Sequence, residues 1–323
     1  MIKNFKTRTG CIFSDTEKKM EYLYVGDYGK DQNIKANFLG FTKEINRVNH
    51  HEVNLKDKMV VTISTQKGCP MKCKFCDCPK VGFFGNVSRE ELAEEVTNSI
   101  KFSGCDYTER FNLHLARMGE PSFNPDVLPF LEYDLVDLVN KNMKADVIHP
   151  VFTTMLPKSN KHLKERVLDF CRIKNEVYNG EAGLQFSINS TDEAQRNDLF
   201  RGMSLSLEEI SKLAKELPMP KGRKYTLNFP VVKQTILDPK ELSRLFDKEK
   251  FIVKITPIHE TNEAKANGLE TEEGYYSYDV YKQFEQPLLA EGWDVIVFIP
   301  SLEEDADRIT CGNALLSDMK GNE

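Results

Sequence analysis

The sequence predicts an α/β protein: an open, partial barrel of about six strand–helix units carrying a small β-extension at its N-terminus. Strands and helices alternate from residue 59 onward, which implies parallel strands joined by right-handed crossovers. Helix starts are marked by capping chemistry in Ser88-Arg89-Glu90-Glu91, Ser206-Leu207-Glu208-Glu209 and Asp238-Pro239-Lys240-Glu241. About six units are too few to close an eight-stranded barrel. No repeat, low-complexity tract or Pro/Gly-rich linker divides the chain. The expected organisation is therefore an N-terminal β-extension over 1–58 and a core with a C-terminal Cys-bearing segment over 59–323.

The elements follow in order. Met20 to Val25 and Asn37 to Phe41 read as short strands of a hairpin around the turn-rich 26–31. Met59 to Thr65 is a strand. After Ser88, the residues Leu92, Val96 and Ile100 recur at helical spacing. Arg110 to Ala116 alternates like a strand, 126–140 is helical, and 146–154 is the next strand. A helix over 161–174 and a strand over 183–188 follow. The helix opened by Ser206 carries Ile210, Leu213 and Leu217 on one face. Strands over 225–232, 251–257 and 294–299 alternate with helices from Pro239 and over 275–289.

Composition narrows the class. Hydrophobic residues make up 40% and charged residues 29% of the 323, as in a globular domain. With 44 basic and 50 acidic residues the net charge is −6, so nucleic-acid contact would have to come from local patches. Candidate patches are Lys67, Lys72, Lys74 and Lys80; Lys158, Lys161, Lys164 and Arg166; and Lys221 to Lys224. Neither a signal peptide nor a membrane span is expected. The eight Cys form no disulfide framework, which points to a reducing cytoplasm. Cys11, Cys105 and Cys171 read as structural.

The chemistry concentrates in Cys69-Pro-Met-Lys-Cys73-Lys-Phe-Cys76. Three thiolates can hold three irons of a 4Fe–4S cluster and leave the fourth open to a small chelating ligand. The rival ligand is structural zinc, because Cys78 follows closely. Zinc sites usually take two separated pairs that close a loop, and no second pair exists here.

The spacing C-x3-C-x2-C with an aromatic before the last Cys resembles the radical S-adenosylmethionine (SAM) signature. The likeness extends through Gln66-Lys67-Gly68, Met118-Gly119-Glu120-Pro121 with Asn124, Ser187-Ile188-Asn189 with Arg196, and Thr310-Cys311-Gly312-Asn313. In this order they resemble the radical SAM RNA methyltransferases that act on carbon 2 of adenine in large-subunit rRNA and in tRNA. The resemblance covers roughly residues 35–315. It implies a six-strand partial radical SAM barrel, a 4Fe–4S cluster on Cys69, Cys73 and Cys76, and SAM bound by Gly119 and Glu120 at its methionine end. Thr154, Ser187 and Asn189 fall at strand ends where that family binds SAM, and His259 falls where it has an Asn. Cys311 matches the Cys that receives a methyl group from one SAM, while a second SAM supplies the radical. An RNA substrate and an external electron donor such as flavodoxin or ferredoxin are implied as partners.

Three departures stand out. The family's second thiol, which releases the enzyme–RNA crosslink, lies seven residues before the first cluster Cys. Thr62 holds that place here, with Cys78 or an external thiol as substitutes. The family's N-terminal RNA-contacting domain also has no room before the extension, and Glu44 is misplaced for a family Glu thought to accept a proton. Two alternatives stay open: a radical SAM enzyme acting on a protein or small molecule, and a zinc-stabilised nucleic-acid-binding module.

Overall fold

The structure is a computed structural model that describes residues 2–7, 10–26, 54–271, 279–299 and 315–316. Its N-terminal strands are β1 (Ile2–Lys6), β2 (Gly10–Asp15) and β3 (Met20–Gly26), followed by β4 (Met59–Thr62), β5 (Gln66–Gly68) and β6 (Phe83–Asn86). Then come α1 (Arg89–Ser103), β7 (Tyr107–Leu115), α2 (Val127–Pro129), α3 (Leu135–Asn142), β8 (Lys144–Thr154), α4 (Leu163–Glu176) and β9 (Gly183–Ser187). The rest comprises α5 (Glu193–Leu199), α6 (Leu207–Glu216), β10 (Tyr225–Val231), α7 (Pro239–Leu245), β11 (Phe251–Pro257), α8 (Asn262–Ala266), α9 (Asp279–Ala290) and β12 (Val295–Val297).

One ten-stranded sheet runs β1-β2-β3-β4-β7-β8-β9-β10-β11-β12. From β4 to β12 every neighbour pair is parallel, and β1 to β4 pair antiparallel. The order is linear. β3 occupies the edge of β4 that β12 would need to close a barrel, so the barrel stays open as the small number of units implied. The expected hairpin is different, however. β3 pairs with β2 through a tight turn at 16–19, and with β4; the expected partner over 37–41 lies outside the described residues.

Both capping boxes form, at Ser88 with Glu91 and at Ser206 with Glu209. The helix expected over 126–140 is split by a π turn at Phe130–Asp134. The cause is local. Tyr178 donates its hydroxyl to Leu131 O at 2.5 Å, and the Leu135 N–H reaches back to Phe130 O instead.

Alternation sorts the sheet's faces. Phe111, Leu113, Leu115, Phe152, Leu184, Phe186, Leu227, Phe229, Val253 and Ile255 join the helices in the main core. Residues between them point to the other face: Thr62, Asn112, His114, Thr153, Gln185, Ser187, Asn228 and Lys254. A parallel sheet covered on both faces reads as continuous hydrophobic runs. This one is apolar towards its helices and polar within its concave face, as suits a polar ligand.

Candidate active site

The cluster loop is held shut at its base. Cys69 N donates to Gly82 O at 2.9 Å and Val87 N to Thr65 O at 3.2 Å. Gly68 has φ +77, and a Cβ there would lie 1.9 Å from Gly82 O, so only glycine fits. Buried Asn124 donates to Thr65 O at 2.7 Å and Val87 O at 2.8 Å, clamping both arms of the hairpin. The tip is pinned elsewhere: Lys74 N bonds Leu199 O, Thr261 Oγ1 bonds Phe75 O, and the Asp77 carboxylate accepts the N–H groups of Asn262 and Glu263. α5 and α8, neither expected from sequence, are thus the loop's outer supports.

Inside this frame the three thiols lie within one another's electrostatic reach, with the Glu120 carboxylate close by. Cys69 and Cys73 pack with Met71, Met155 and Phe200, and Cys69 and Cys76 also pack with Cys78, Met118 and Leu315. Burial pushes the Cys69 thiol up to about 12 and raises Cys73 well above the ordinary thiol value. Cys76 moves the other way, chiefly because the Cys78 thiol hydrogen-bonds to it. Thiolates crowded in an apolar setting need a cation to neutralise them, and binding one would release protons. Among the described residues no three His, Cys, Asp or Glu are gathered as ligands about one ion. Three thiolates on one loop could each take one iron of a 4Fe–4S cluster, and the chemistry of the trio fits that group.

The remaining candidates line the same edge, because each follows the C-terminal end of a parallel strand. Gly119 after β7 has φ +95, where a Cβ would press to 2.5 Å from Gln66 Cβ. The Gln66 side chain accepts the Glu120 N–H at 2.9 Å. The Glu120 carboxylate accepts Ser122 N at 3.1 Å and Met155 N at 2.9 Å, and the Thr154 hydroxyl also bonds to it. Burial raises its pKa against those bonds. A carboxylate has about four acceptor sites, so capacity remains for an ammonium group. Ser187 ends β9, and its carbonyl accepts the buried Arg196 guanidinium at 3.3 Å. Asn189 is 1% exposed at φ +65, and neither Oδ1 nor Nδ2 finds a hydrogen-bond partner. A buried, unpaired amide in a left-handed conformation is what a ligand contact leaves when the ligand is removed. His259 follows β11, with its carbonyl accepting Thr261 N.

No family model matches the chain. It is 27% identical over 203 residues to the probable dual-specificity RNA methyltransferase RlmN of Pseudothermotoga lettingae, covering 62% of this chain and 54% of that protein. Against the dual-specificity RNA methyltransferase RlmN of Nautilia profundicola it is 26% identical over 189 residues, covering 58% and 50%. The chain is thus similar to the RlmN proteins over about three fifths of its length. It spans about half the length of the curated relatives it matches. A radical SAM methyltransferase from Sphaerobacter thermophilus superposes with a TM-score of 0.58 at 17% identity, over 91% of this chain and 75% of that one. The chain therefore shares that protein's fold, an α/β fold whose mostly parallel sheet stays open as the expected partial barrel.

Cys311, with Arg308, Thr310, Gly312 and Asn313, lies outside the described residues, as does Glu44. Thr62 is half-buried on the concave face, opposite Leu23 and His114. Cys78 is buried, with its sulfur 3.5 Å from Arg117 O. Cys11 and Cys171 are buried in the core. Much of the first basic patch is neutralised: Lys67 pairs with Glu91, Lys74 with Asp198, and Lys80 with Asp77 and Glu263. No described helix is long and apolar enough to cross a membrane.

Sequence reasoning missed Glu21 and Arg117. They form an ion pair beside the cluster loop with no exposed side-chain surface. The one available signal was a charge within the strand-like run of Met20 to Val25 for Glu21, and one just past the run of Arg110 to Ala116 for Arg117.

Proposed function

We propose that this chain is a radical SAM methyltransferase that methylates carbon 2 of an adenine in rRNA or tRNA through a methylated Cys311. The observation that carries the reading is the thiol trio of Cys69, Cys73 and Cys76, set with Glu120 and the unpaired Asn189 on one edge of a partial barrel. The relatives' names supply the substrate class and the methyl transfer.

Cys69, Cys73 and Cys76 would hold a 4Fe–4S cluster, which when bound supplies the electron that cleaves SAM, itself fed by a donor such as flavodoxin or ferredoxin. Glu120 orients the SAM ammonium, Gly119 leaves room for its methionine end, and Thr154 fixes the Glu120 carboxylate. Ser187, Asn189 and His259 complete the pocket along the strand ends. Cys311 is the methyl carrier, because an aromatic C–H carbon is not open to direct displacement at SAM. Leu315, four residues later, packs with Cys69, Cys76 and Cys78. Cys78 serves as the releasing thiol in place of Thr62.

The test is anaerobic incubation of reconstituted protein with methyl-labelled SAM and total RNA. Label is expected in 2-methyladenosine and, before turnover completes, on Cys311. A persistently unlabelled Cys311 during SAM cleavage overturns the reading. Label on a protein or small molecule instead supports the alternative substrate class, which the ion-paired lysines around the loop favour. Cys78→Ala is expected to limit the enzyme to a single turnover; undiminished multiple turnover removes Cys78 from the release step.

A further inference from the structure

The hairpin of β5 and β6 leaves two adjacent aromatic side chains in solvent. Phe83 is 49% exposed and Phe84 58%, and among the described residues they are the only neighbouring pair of large hydrophobics so exposed. Neither belongs to a core cluster. Among the described residues β6 pairs with β5 alone. A single exposed apolar residue needs no account, whereas contiguous apolar surface marks an interaction site. The pair is also held in place. Phe84 leans over Gly82, where a Cβ would lie 3.2 Å from Phe84 Cε2. The Lys19 ammonium stands 6.0 Å from the centroid of the Phe84 ring. Lys19 sits in the turn between β2 and β3 at φ +56, and it makes no ion pair among the described residues. The rings lie beside the chemistry. Phe83 is in register with Gly68, next to Cys69. Gln66 Nε2 donates to Asn86 Oδ1 at 2.8 Å, while Gln66 Oε1 accepts the Glu120 N–H. One side chain thus links β6 to the loop that carries Glu120.

We propose that Phe83 and Phe84, with Lys19, form a stacking platform for unpaired bases of an RNA substrate beside the cluster loop. This rests on the reading of the chain as an RNA methyltransferase. The chemistry selects the occupant. Rings open to solvent offer a π face to any base, and single strands are held by such rings together with cations that follow the phosphates. Lys19 supplies a cation next to one ring. Bases within a duplex stack on one another and leave no face free, so the platform takes single-stranded nucleotides. An adenine that reacts at carbon 2 must leave its stack to reach the strand-end pocket, and the platform receives the nucleotides beside it. Lys67, Lys74 and Lys80 are already ion-paired, so stacking rather than bulk charge carries this contact.

The experiment measures anaerobic binding of the cluster-loaded protein, by fluorescence anisotropy, to a single-stranded RNA of about 12 nucleotides and to a blunt duplex of the same sequence. Phe83→Leu and Phe84→Leu keep an apolar side chain and remove the ring. Each is expected to weaken single-strand binding about 10-fold, with duplex binding within about twofold of wild type and iron content unchanged. Phe84→Trp is expected to bind the single strand at least as tightly as wild type. Lys19→Gln is expected to reduce the slope of log affinity against log salt by about 0.7. Wild-type single-strand affinity in both leucine variants, or an equal loss on single strand and duplex, overturns the proposal. Lys19→Gln leaves both rings in place and judges the platform if a leucine variant unfolds: an unchanged salt slope overturns it. A wild type that binds neither RNA also overturns it, and leaves the exposed rings to a protein partner. Binding is read apart from methyl transfer. Ring-dependent single-strand binding without 2-methyladenosine formation defeats the functional reading and keeps the platform. Formation of 2-methyladenosine with an unchanged KM for RNA in both leucine variants does the reverse.

Discussion

Asn189 holds a left-handed backbone and a buried amide with no partner. Both cost stability: a non-glycine residue in that conformation by about 1–2 kcal/mol, and a buried unpaired polar group by about 1–3 kcal/mol. Asn189→Gly removes both. It is expected to raise the melting temperature of the ligand-free protein while weakening SAM binding about 10-fold by calorimetry. A destabilised variant with unchanged SAM affinity would assign Asn189 a purely structural role. Glu95 tests burial in a second way. Its carboxyl is fully buried, with Oε2 accepting Ser64 N and Oε1 unpaired, and desolvation raises its pKa well above the ordinary value. A raised folded pKa contributes stability that is whole below the unfolded value and lost as pH rises through the folded one. Urea unfolding is therefore expected to show lower stability at pH 8.5 than at pH 5.5, with the difference shrinking in Glu95→Gln. At this scale the thiols, Gly119 and Glu120 were legible because their spacing is itself the chemistry. Glu21 and Arg117 were not, since nothing local to either announces a partner nearly a hundred residues away.

The hairpin of β5 and β6 decides whether the thiols meet. Gly68 has no space for a Cβ, whereas Gly104, also at positive φ, has nothing within 4 Å of one. Gly68→Ala is expected to cut iron content after reconstitution at least fivefold, and Gly104→Ala to cost about 1 kcal/mol of stability with iron intact. Equal iron loading in both would show that the loop's base can open without consequence. Helix starts were legible because capping is written in adjacent residues, and Ser88→Ala is expected to cost about 1 kcal/mol in urea unfolding. The short strands β1, β5 and β6 and the helices α5 and α8 were not legible. A three- to seven-residue element shows too little periodicity, and these form because neighbours supply their hydrogen bonds. The π turn at Phe130–Asp134 depends on Tyr178, more than forty residues on.

The whole molecule follows from one asymmetry. Alternating strand residues put apolar side chains towards the helices and polar ones into the concave face, and β3 on the edge of β4 keeps the sheet open. Alternation of strand and helix made the parallel architecture legible, and the modest number of units made its openness legible. How the N-terminal strands extend that same sheet was not, because strand pairing between β3 and β4 spans a long connection. The C-terminal ends of the parallel strands carry Gly119, Glu120, Thr154, Ser187, Asn189 and His259. The account depends on the claim that the trio at 69, 73 and 76 carries a cluster with one iron free. Electron paramagnetic resonance of the anaerobically reconstituted, reduced protein tests it directly. About four irons per chain and a cluster signal that changes on adding SAM are predicted, with the signal lost on replacing any of the three Cys by Ala. A colourless, zinc-loaded protein, or a cluster signal indifferent to SAM, would contradict it.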